Sequence, residues 1–291
     1  MNNIKRWTTY CLSQIVHKYS TIKHSIMKRK NWTKIFASVT LKKSLQLAVT
    51  IIISLLFTDC AAQAQVKNIV LVHGAWGDVS GWEGVYKILN VKGYHVDVVS
   101  NSDQSLTGDV ASVKAVLARQ KGPVILVGHS YGGAVITEAG DTSNVVGLVY
   151  VSAFAPDAGE SLLSLQKAGP PNPESGIMPP VDGLLWYDMA KFYKDFCPDL
   201  PAAQADFMAH SQTPLGLAAA TTAITKPAWK SKPSWYIVST EDRMIPPDAE
   251  RFMGKRANAK ITEIKASHVA FISHPQEVAA VIEAAAKGAV K

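Results

Sequence analysis

Cysteine and charged residues are both scarce in this chain of 291 residues. Of its three cysteines only Cys197 lies beyond Cys60, so the residues after Cys60 cannot form a disulfide among themselves. Charged residues make up 18% of the chain and hydrophobic residues 47%. This balance suits one or two globular domains with a sizeable core that does not rely on oxidation.

Acidic residues are absent from residues 1–43, which hold ten Lys or Arg. From Gln65 to Lys291 there are 20 basic and 22 acidic residues, so the net charge of +7 belongs to the N-terminal segment. The rest of the chain is close to neutral. We therefore expect no nucleic-acid partner.

The apolar run near the N-terminus is too short for a transmembrane helix, which needs about 18 residues. This run, LQLAVTIIISLLF, spans Leu45–Phe57 and follows the basic segment. Ala62-Gln63-Ala64 comes soon after it and fits the A-x-A type of cleavage site. We predict that residues 1–64 are a targeting segment cleaved near Ala64, and that the protein is exported to the periplasm or secreted without a stable membrane span.

Two alternatives to this cleaved leader remain open. Cys60 lies three residues after the apolar run and could carry a lipid anchor, although Asp59 is a poor residue before a lipidated cysteine. An uncleaved N-terminal anchor is the other reading. Translation from Met27 instead of Met1 would leave a leader of ordinary length.

The sequence contains no cluster of metal-ligating residues and no phosphate-binding glycine loop. We therefore expect neither a metal nor a cofactor. The oligomeric state is left open.

Strand and helix patterns alternate after Gln65. Short apolar runs predict six strands, at NIVLVHG, HVDVVS, PVILVG, VVGLVYVSAF, SWYIVST and AKITEIK. Between them we expect a helix with Val85 and Val91 on its apolar face, a helix capped by Asp109, and a final helix that begins at Pro275. This alternation predicts an α/β domain over residues 65–291, with a mainly six-stranded parallel sheet covered by helices on both faces.

Residues 156–233 interrupt this alternation. They are rich in proline and contain two helical pieces and several aromatic residues, namely Trp186, Tyr187, Phe192, Tyr193, Phe196 and Phe207. The stretch is too long for an ordinary loop. We expect a small helical lid over the carboxyl edge of the sheet.

The stretch ILVGHSYGGAV joins a central buried strand to a helix through Gly-His-Ser-Tyr-Gly. A strand, a sharp turn centred on serine and a helix form the context of a nucleophile elbow. We expect Gly128 and Gly132 to be required because side chains there would clash across the turn. Ser130 would then project from the carboxyl edge of the sheet.

A serine hydroxyl needs a general base, and the base needs a carboxylate to orient it. His268 lies in the loop after the last strand, which returns to the edge that holds Ser130, and we prefer it to His274 as the base. Asp242 lies inside the loop after the preceding strand, and we prefer it to Glu241 as the acid. The order serine, acid, histidine is typical of one serine-hydrolase fold and differs from the orders found on others.

Two backbone N–H groups are candidates for the oxyanion hole. Ala75 follows the first strand and Tyr131 directly follows the nucleophile, so both could point at one substrate oxygen. His73 is expected to brace its loop through backbone hydrogen bonds. His129 is expected to point away from the nucleophile's pocket.

The motifs VLVHGAW, GHSYGG, TEDRMIP and SHVAFISHP together resemble those of the α/β-hydrolase superfamily. More narrowly, the sequence is similar to the small-lid esterases related to plant methylesterases and hydroxynitrile lyases. The resemblance covers about residues 66–291 and implies an α/β-hydrolase fold. It implies these roles: nucleophile Ser130, base His268, acid Asp242, and oxyanion donors Ala75 and Tyr131.

The sequence departs from the lyases of this branch at Gly74 and Val269, where they place a threonine and a lysine. Without an ammonium beside the base, lyase activity is disfavoured. We therefore predict a serine hydrolase that cleaves carboxylic esters of small to medium apolar substrates through an acyl-enzyme. The alternatives are a non-catalytic small-ligand binding protein on the same fold, or a hydroxynitrile-lyase-like activity.

Overall fold

The computed structural model describes residues 66–169 and 175–289. The predicted targeting segment lies outside these residues, as do its cleavage site and Cys60. None of the helices in the two described ranges has the length and apolar character needed to cross a membrane.

Eight strands are present in the described ranges. They are β1 (Asn68–Val72), β2 (His95–Val99), β3 (Val124–His129), β4 (Val145–Val151), β5 (Leu184–Leu185), β6 (Leu215–Gly216), β7 (Ser234–Ser239) and β8 (Lys260–Ile264). Six of them form a parallel sheet in the order β2-β1-β3-β4-β7-β8, while β5 and β6 pair with each other antiparallel. The predicted six-stranded parallel sheet is confirmed.

The helices of the described ranges connect these strands. They are α1 (Glu83–Val91), α2 (Leu106–Arg119), α3 (Tyr131–Ala139), α4 (Leu162–Ala168), α5 (Met189–Phe196), α6 (Ala202–His210), α7 (Leu217–Thr221), α8 (Pro247–Arg256), α9 (Ala270–Ser273) and α10 (Pro275–Gly288). Helices α1 and α10 pack together on the sheet, and α2 and α3 form a second packed pair. Strands β1 and β3 are buried along their whole length, as central strands covered on both faces should be.

Two local predictions were wrong. Helix α2 begins at Leu106 and is capped by Ser105, whose side chain accepts a hydrogen bond from the Gly108 N–H. Asp109 lies inside the first turn and is fully buried, since its carboxylate serves neighbouring loops instead of the helix end. Val91 ends α1 with 90% of its surface exposed, so the apolar face of that helix stops earlier.

In the described part of the predicted lid, residues 156–169 and 175–233, there are four α-helices, α4 to α7, where the sequence suggested two. The short β5–β6 ladder was also not foreseen, because a strand of two residues leaves no periodic signal. Three of the aromatics in this region are buried: Tyr187 meets Phe192 edge-on, and Phe192 stacks on Phe196.

Parallel pairing brings the ends of four strands to one edge of the sheet. Val72 of β1 is in register with Gly128 of β3, and Ser239 of β7 is in register with Ile264 of β8. The residues that follow these strands therefore emerge on the same side. This is where ligands bind in open α/β sheets.

The turn between β3 and α3 is unusually tight. A Cβ atom on Gly132 would lie 2.5 Å from the backbone oxygen of His73, and one on Gly128 would lie 2.5 Å from the backbone oxygen of Gly132. Neither neighbour is a flexible side chain that could move aside. The steric requirement expected for both glycines is confirmed.

We expect Gly132→Ala to lower the free energy of unfolding by about 1–3 kcal/mol, because the added methyl overpacks against rigid backbone. Urea denaturation would measure the change. Gly77→Ala is the matched control, because a Cβ there would meet nothing closer than 3.8 Å. Equal unfolding midpoints for the two variants would contradict this account of the turn.

Candidate active site

Ser130 occupies the turn between β3 and α3 in a strained conformation. Its φ of +51° and ψ of −121° are rarely adopted by residues other than glycine. Its carbonyl accepts hydrogen bonds from Gly133 N–H at 2.9 Å and from Phe154 N–H at 3.1 Å, while its own N–H donates to Val151 at 3.3 Å. These contacts fix the backbone, so the side chain is held at the carboxyl edge of the sheet.

The predicted base and acid are in direct contact. His268 Nδ1 lies 2.6 Å from Asp242 Oδ2, and both side chains are fully buried. The other oxygen of Asp242 accepts the N–H groups of Met244 at 2.6 Å and Ile245 at 2.9 Å. Since a carboxylate only accepts, His268 carries its proton on Nδ1.

The second nitrogen of His268 is consequently a lone-pair acceptor. Nε2 has no hydrogen-bond partner among the described residues although it is buried. A buried, unpaired ring nitrogen opposite an orienting carboxylate is the arrangement that a general base requires.

His129 connects this pair to the nucleophile turn. Its Nε2 lies 2.9 Å from the backbone oxygen of His268, to which it donates, and the two rings are 4.7 Å apart. Because His129 precedes Ser130 directly, this hydrogen bond places the loop of the base over the elbow. Sequence reasoning had placed His129 away from the nucleophile's pocket without finding this partner.

Burial keeps His129 uncharged. Desolvation, and after it the proximity of His268, lower the pKa of His129 well below its ordinary value. The neutral ring donates one hydrogen bond to the His268 carbonyl and packs on Phe271 at 4.4 Å. His129 therefore fixes the backbone of His268 without placing a positive charge beside the His268 ring.

The two predicted oxyanion donors flank the nucleophile. A Cβ on Gly74 would lie 2.6 Å from Ser130 Cβ, so the loop that carries Ala75 passes directly beside the nucleophile. Neither the Ala75 N–H nor the Tyr131 N–H donates to an acceptor in the described part of the chain. His73 Nδ1 lies 3.0 Å from the Gly74 backbone oxygen, which confirms the bracing contact expected of that histidine.

A buried acidic network fixes the side chain of Tyr131. The Tyr131 hydroxyl donates to Asp109 Oδ2 at 2.7 Å, and Asp109 Oδ1 accepts the N–H groups of Ser102 and Asp103. Burial and the charge of Asp109 raise the pKa of Asp103 well above its ordinary range. The network ties the start of α3 to the loop after β2, which restrains the Tyr131 backbone.

Two contacts from the lid region reach the site, and sequence reasoning missed both. Asp199 accepts hydrogen bonds from the N–H of Ser267 at 2.9 Å and from its hydroxyl at 2.5 Å, directly before His268. Trp76, next to Ala75, donates its N–H to the Thr213 oxygen at 2.8 Å and its indole N–H to the Leu185 oxygen at 2.9 Å. The predicted lid is thus hydrogen-bonded to the loops that carry Ala75 and His268.

His274 and Glu241, the alternatives to His268 and Asp242, have other partners. His274 is the residue before α10, and its Nδ1 is 2.9 Å from the hydroxyl of Ser273. The Glu241 side chain is 52% exposed and lies 3.7 Å from Lys265. Within residues 66–169 and 175–289, no group of three or more His, Cys, Asp or Glu side chains is arranged to hold a metal ion.

Comparison with known proteins identifies the family. The model of the family described as the alpha/beta hydrolase family matches residues 69–281. The chain belongs to the α/β-hydrolase family. The α/β-hydrolase fold that the sequence motifs implied is therefore confirmed.

Named relatives of this α/β-hydrolase are esterases and hydrolases. A carbendazim hydrolyzing esterase from a Nocardioides strain is 35% identical over 121 residues, which cover 36% of this chain and 50% of that protein. A pyrethroid hydrolase from Sphingobium wenxiniae is 27% identical over 247 residues, with coverage of 75% and 86%. A putative methylesterase 19 from Arabidopsis thaliana is 24% identical over 250 residues, with coverage of 74% and 96%.

A solved structure shows the same fold. The pyrethroid hydrolase from Sphingobium faniae JZ-2 superposes with a TM-score of 0.65 at 23% identity, covering 77% of this chain and 98% of its own. Together with the methylesterase, these proteins confirm the resemblance to the small-lid esterase branch and the prediction of an ester-hydrolysing enzyme. They give no support to either alternative function.

The His129 ring should make folding stability depend on pH. Because burial lowers its pKa in the folded state, below about pH 6.5 the unfolded chain binds a proton that the folded chain does not. Stability from this group is complete above pH 6.5 and is lost as the pH falls. Between pH 7.5 and 5.5 the wild-type protein should lose about 1.4 kcal/mol more than His129→Gln.

Urea denaturation at both pH values would measure this difference. Gln retains an N–H that can reach the His268 carbonyl but does not titrate. His95→Gln, at an exposed position, is the control and should follow the wild-type pH dependence. Parallel curves for wild type and His129→Gln would show that His129 is not buried in its neutral form.

Proposed function

We propose that this α/β-hydrolase cleaves carboxylic esters of small to medium apolar substrates through an acyl-enzyme on Ser130. The observation that carries the proposal is the buried 2.6 Å contact between His268 and Asp242, held over the strained Ser130 turn by His129. The esterases and hydrolases among its relatives support the same chemistry.

The reaction follows from the free nitrogen of the base. His268 Nε2 takes the proton of the Ser130 hydroxyl as its oxygen attacks the ester carbonyl carbon. Asp242, already bonded to Nδ1–H, stabilises the imidazolium that forms. The carbonyl oxygen becomes an oxyanion, which accepts hydrogen bonds from the N–H groups of Ala75 and Tyr131.

Collapse of this intermediate releases the alcohol, which takes the proton from His268, and leaves the acyl group on Ser130. A water molecule then gives a proton to His268 Nε2 and attacks the acyl carbon. The second intermediate collapses to the free acid and restores the Ser130 hydroxyl.

A cavity of about 260 Å³ lies between the oxyanion loop and helix α6. Trp76, Phe207, Met208 and Ile272 give it apolar walls, and its polar walls come from Asp78, Ser80, Glu83, Gln204 and Ser211. The triad residues are not among its lining residues, so this cavity neighbours the site without defining the acyl pocket.

We expect Ser130→Ala to lower turnover of a p-nitrophenyl ester by about a thousandfold or more, because the nucleophile is lost. A fluorophosphonate probe should label the wild-type protein at Ser130 and leave the variant unlabelled. Ser112→Ala, whose hydroxyl bonds to Gly108 within α2, is the matched control and should keep both properties. Undiminished turnover in Ser130→Ala would refute the mechanism.

The proposed function includes export. The basic segment, the short apolar run at Leu45–Phe57 and the A-x-A site at Ala62–Ala64 support removal of residues 1–64. After expression in a secreting host, N-terminal sequencing should find a mature chain that begins near Gln65. A chain that retains its first residues, or one that begins at a lipid-bearing Cys60, would contradict cleavage at this site.

A further inference from the structure

Glu250 is a buried acid that the reaction described above does not use. It lies on α8 and is fully buried. Its Oε2 accepts a hydrogen bond from the N–H of Ser239, the last residue of β7, at 3.0 Å. No N–H or O–H group of the described residues donates to its Oε1. An ionised carboxylate in such a place would carry a large desolvation cost.

The neighbour of this carboxyl is the triad acid. Ser239 joins the two acids: its N–H donates to Glu250 at 3.0 Å, and its backbone oxygen accepts the N–H of Asp242 at 3.2 Å, so both residues meet at the end of β7. Two carboxylates only accept, so a hydrogen bond between them requires that one holds a proton. Burial, and after it the charge of Asp242, raise the pKa of Glu250 well above its ordinary range.

The number of donors decides which of the two acids is protonated. Asp242 receives hydrogen bonds from Met244, Ile245 and His268, all of which stabilise its charged form. Glu250 receives one, from Ser239. The proton therefore belongs on Glu250.

We propose that Glu250 is a positioning residue that holds a proton and donates it in a hydrogen bond to the Asp242 carboxylate. One carboxyl oxygen accepts from Ser239 and the other donates to Asp242. The acid is thereby tied to the end of β7, where its loop begins. The catalytic part of this inference rests on the proposed function.

Three ionisable groups face Glu250 among the described residues. Asp242 comes from the loop after β7, and Tyr236 from β7 itself. Arg251 neighbours Glu250 on α8, but its guanidinium is bonded to Asp248 and Glu263 at 2.8 Å. Tyr236 donates its hydroxyl to the Ala153 oxygen. Among these ionisable groups, Asp242 is therefore the one that can accept a Glu250 proton.

Paired substitutions test the proton without changing the size of the side chain. Glu250→Gln keeps one acceptor for Ser239 and one donor for Asp242, so its kcat should remain near the wild-type value. Glu250→Met removes both, and we expect kcat to fall about tenfold or more with KM little changed, because the acid and base lose their alignment. A wild-type kcat in Glu250→Met, or equal losses in both variants, would overturn the proposal.

The pH profile separates positioning from a loss of folding. Without the Glu250 donor, Asp242 is a stronger base and holds the protonated form of His268 more tightly. The acid limb of kcat/KM should therefore move to higher pH in Glu250→Met and stay in place in Glu250→Gln. An unmoved limb in Glu250→Met would count against the hydrogen bond.

A spectroscopic measurement needs no activity and so separates this inference from the proposed function. Infrared spectra of the full chain at neutral pH should contain the carbonyl band of a protonated carboxylic acid, part of which disappears in Glu250→Gln. Asp103→Asn identifies the contribution of the other buried acid whose pKa is raised. Identical bands in wild type and Glu250→Gln would refute the proton.

Folding stability supplies a last check that does not depend on Glu250→Met being folded. With its pKa raised in the folded state, Glu250 contributes stability that is complete below about pH 4.5 and is lost as the pH rises. The folding constant of the wild type should thus fall about tenfold per pH unit relative to Glu250→Gln, until the folded group ionises. A constant ratio would overturn the proposal.

Discussion

The hydrogen bond from His129 to the backbone of His268 brings the His268 loop to Ser130, although the strand order of the sheet separates Ser130 from Asp242. Ser130 follows β3 and Asp242 follows β7, with β4 between them, so the two strand ends are about 10 Å apart at ordinary strand spacing. The acid cannot reach the nucleophile directly. The loop after β8 must therefore return across the carboxyl edge of the sheet. The His129 ring, next to Ser130, holds this loop in place through a hydrogen bond to the backbone oxygen of His268. The side chain of His268 is then free to face both partners.

Neutral side chains perform most of the holding in this site. Burial keeps His129 neutral while it positions the His268 loop. A protonated Glu250 would likewise position Asp242 without carrying a charge. Uncharged donors can be buried beside a catalytic pair without adding repulsion to it. In the proposed mechanism, the charge that develops during attack is then confined to the His268–Asp242 pair and to the substrate oxygen, where a dry environment strengthens every hydrogen bond.

The sequence was sufficient for features that depend on local pattern or on chain order. Buried parallel strands are short apolar runs, and a parallel sheet brings the residues after them to one edge, so Ser130, Asp242 and His268 could be selected before their contacts were known. Asp199 could not be found in this way, because it lies in no motif and its partner Ser267, the first residue of SHVAFISHP, is 68 residues away. The start of α2 was misplaced because Asp109 and Ser105 are both good capping types, and burial of Asp109 among the loops decided between them.

The hydrogen bonds of Trp76 constrain the length of the lid region more than its sequence. Both acceptors of this residue, at Leu185 and Thr213, are main-chain carbonyls that any amino acid supplies. Exposed side chains along that segment, such as Met189 and Phe207, can be exchanged while the oxyanion loop keeps its supports. An insertion or deletion would displace the carbonyls themselves. Diversification of substrate preference on this scaffold is therefore easier by substituting exposed residues between 185 and 213 than by changing the number of residues there.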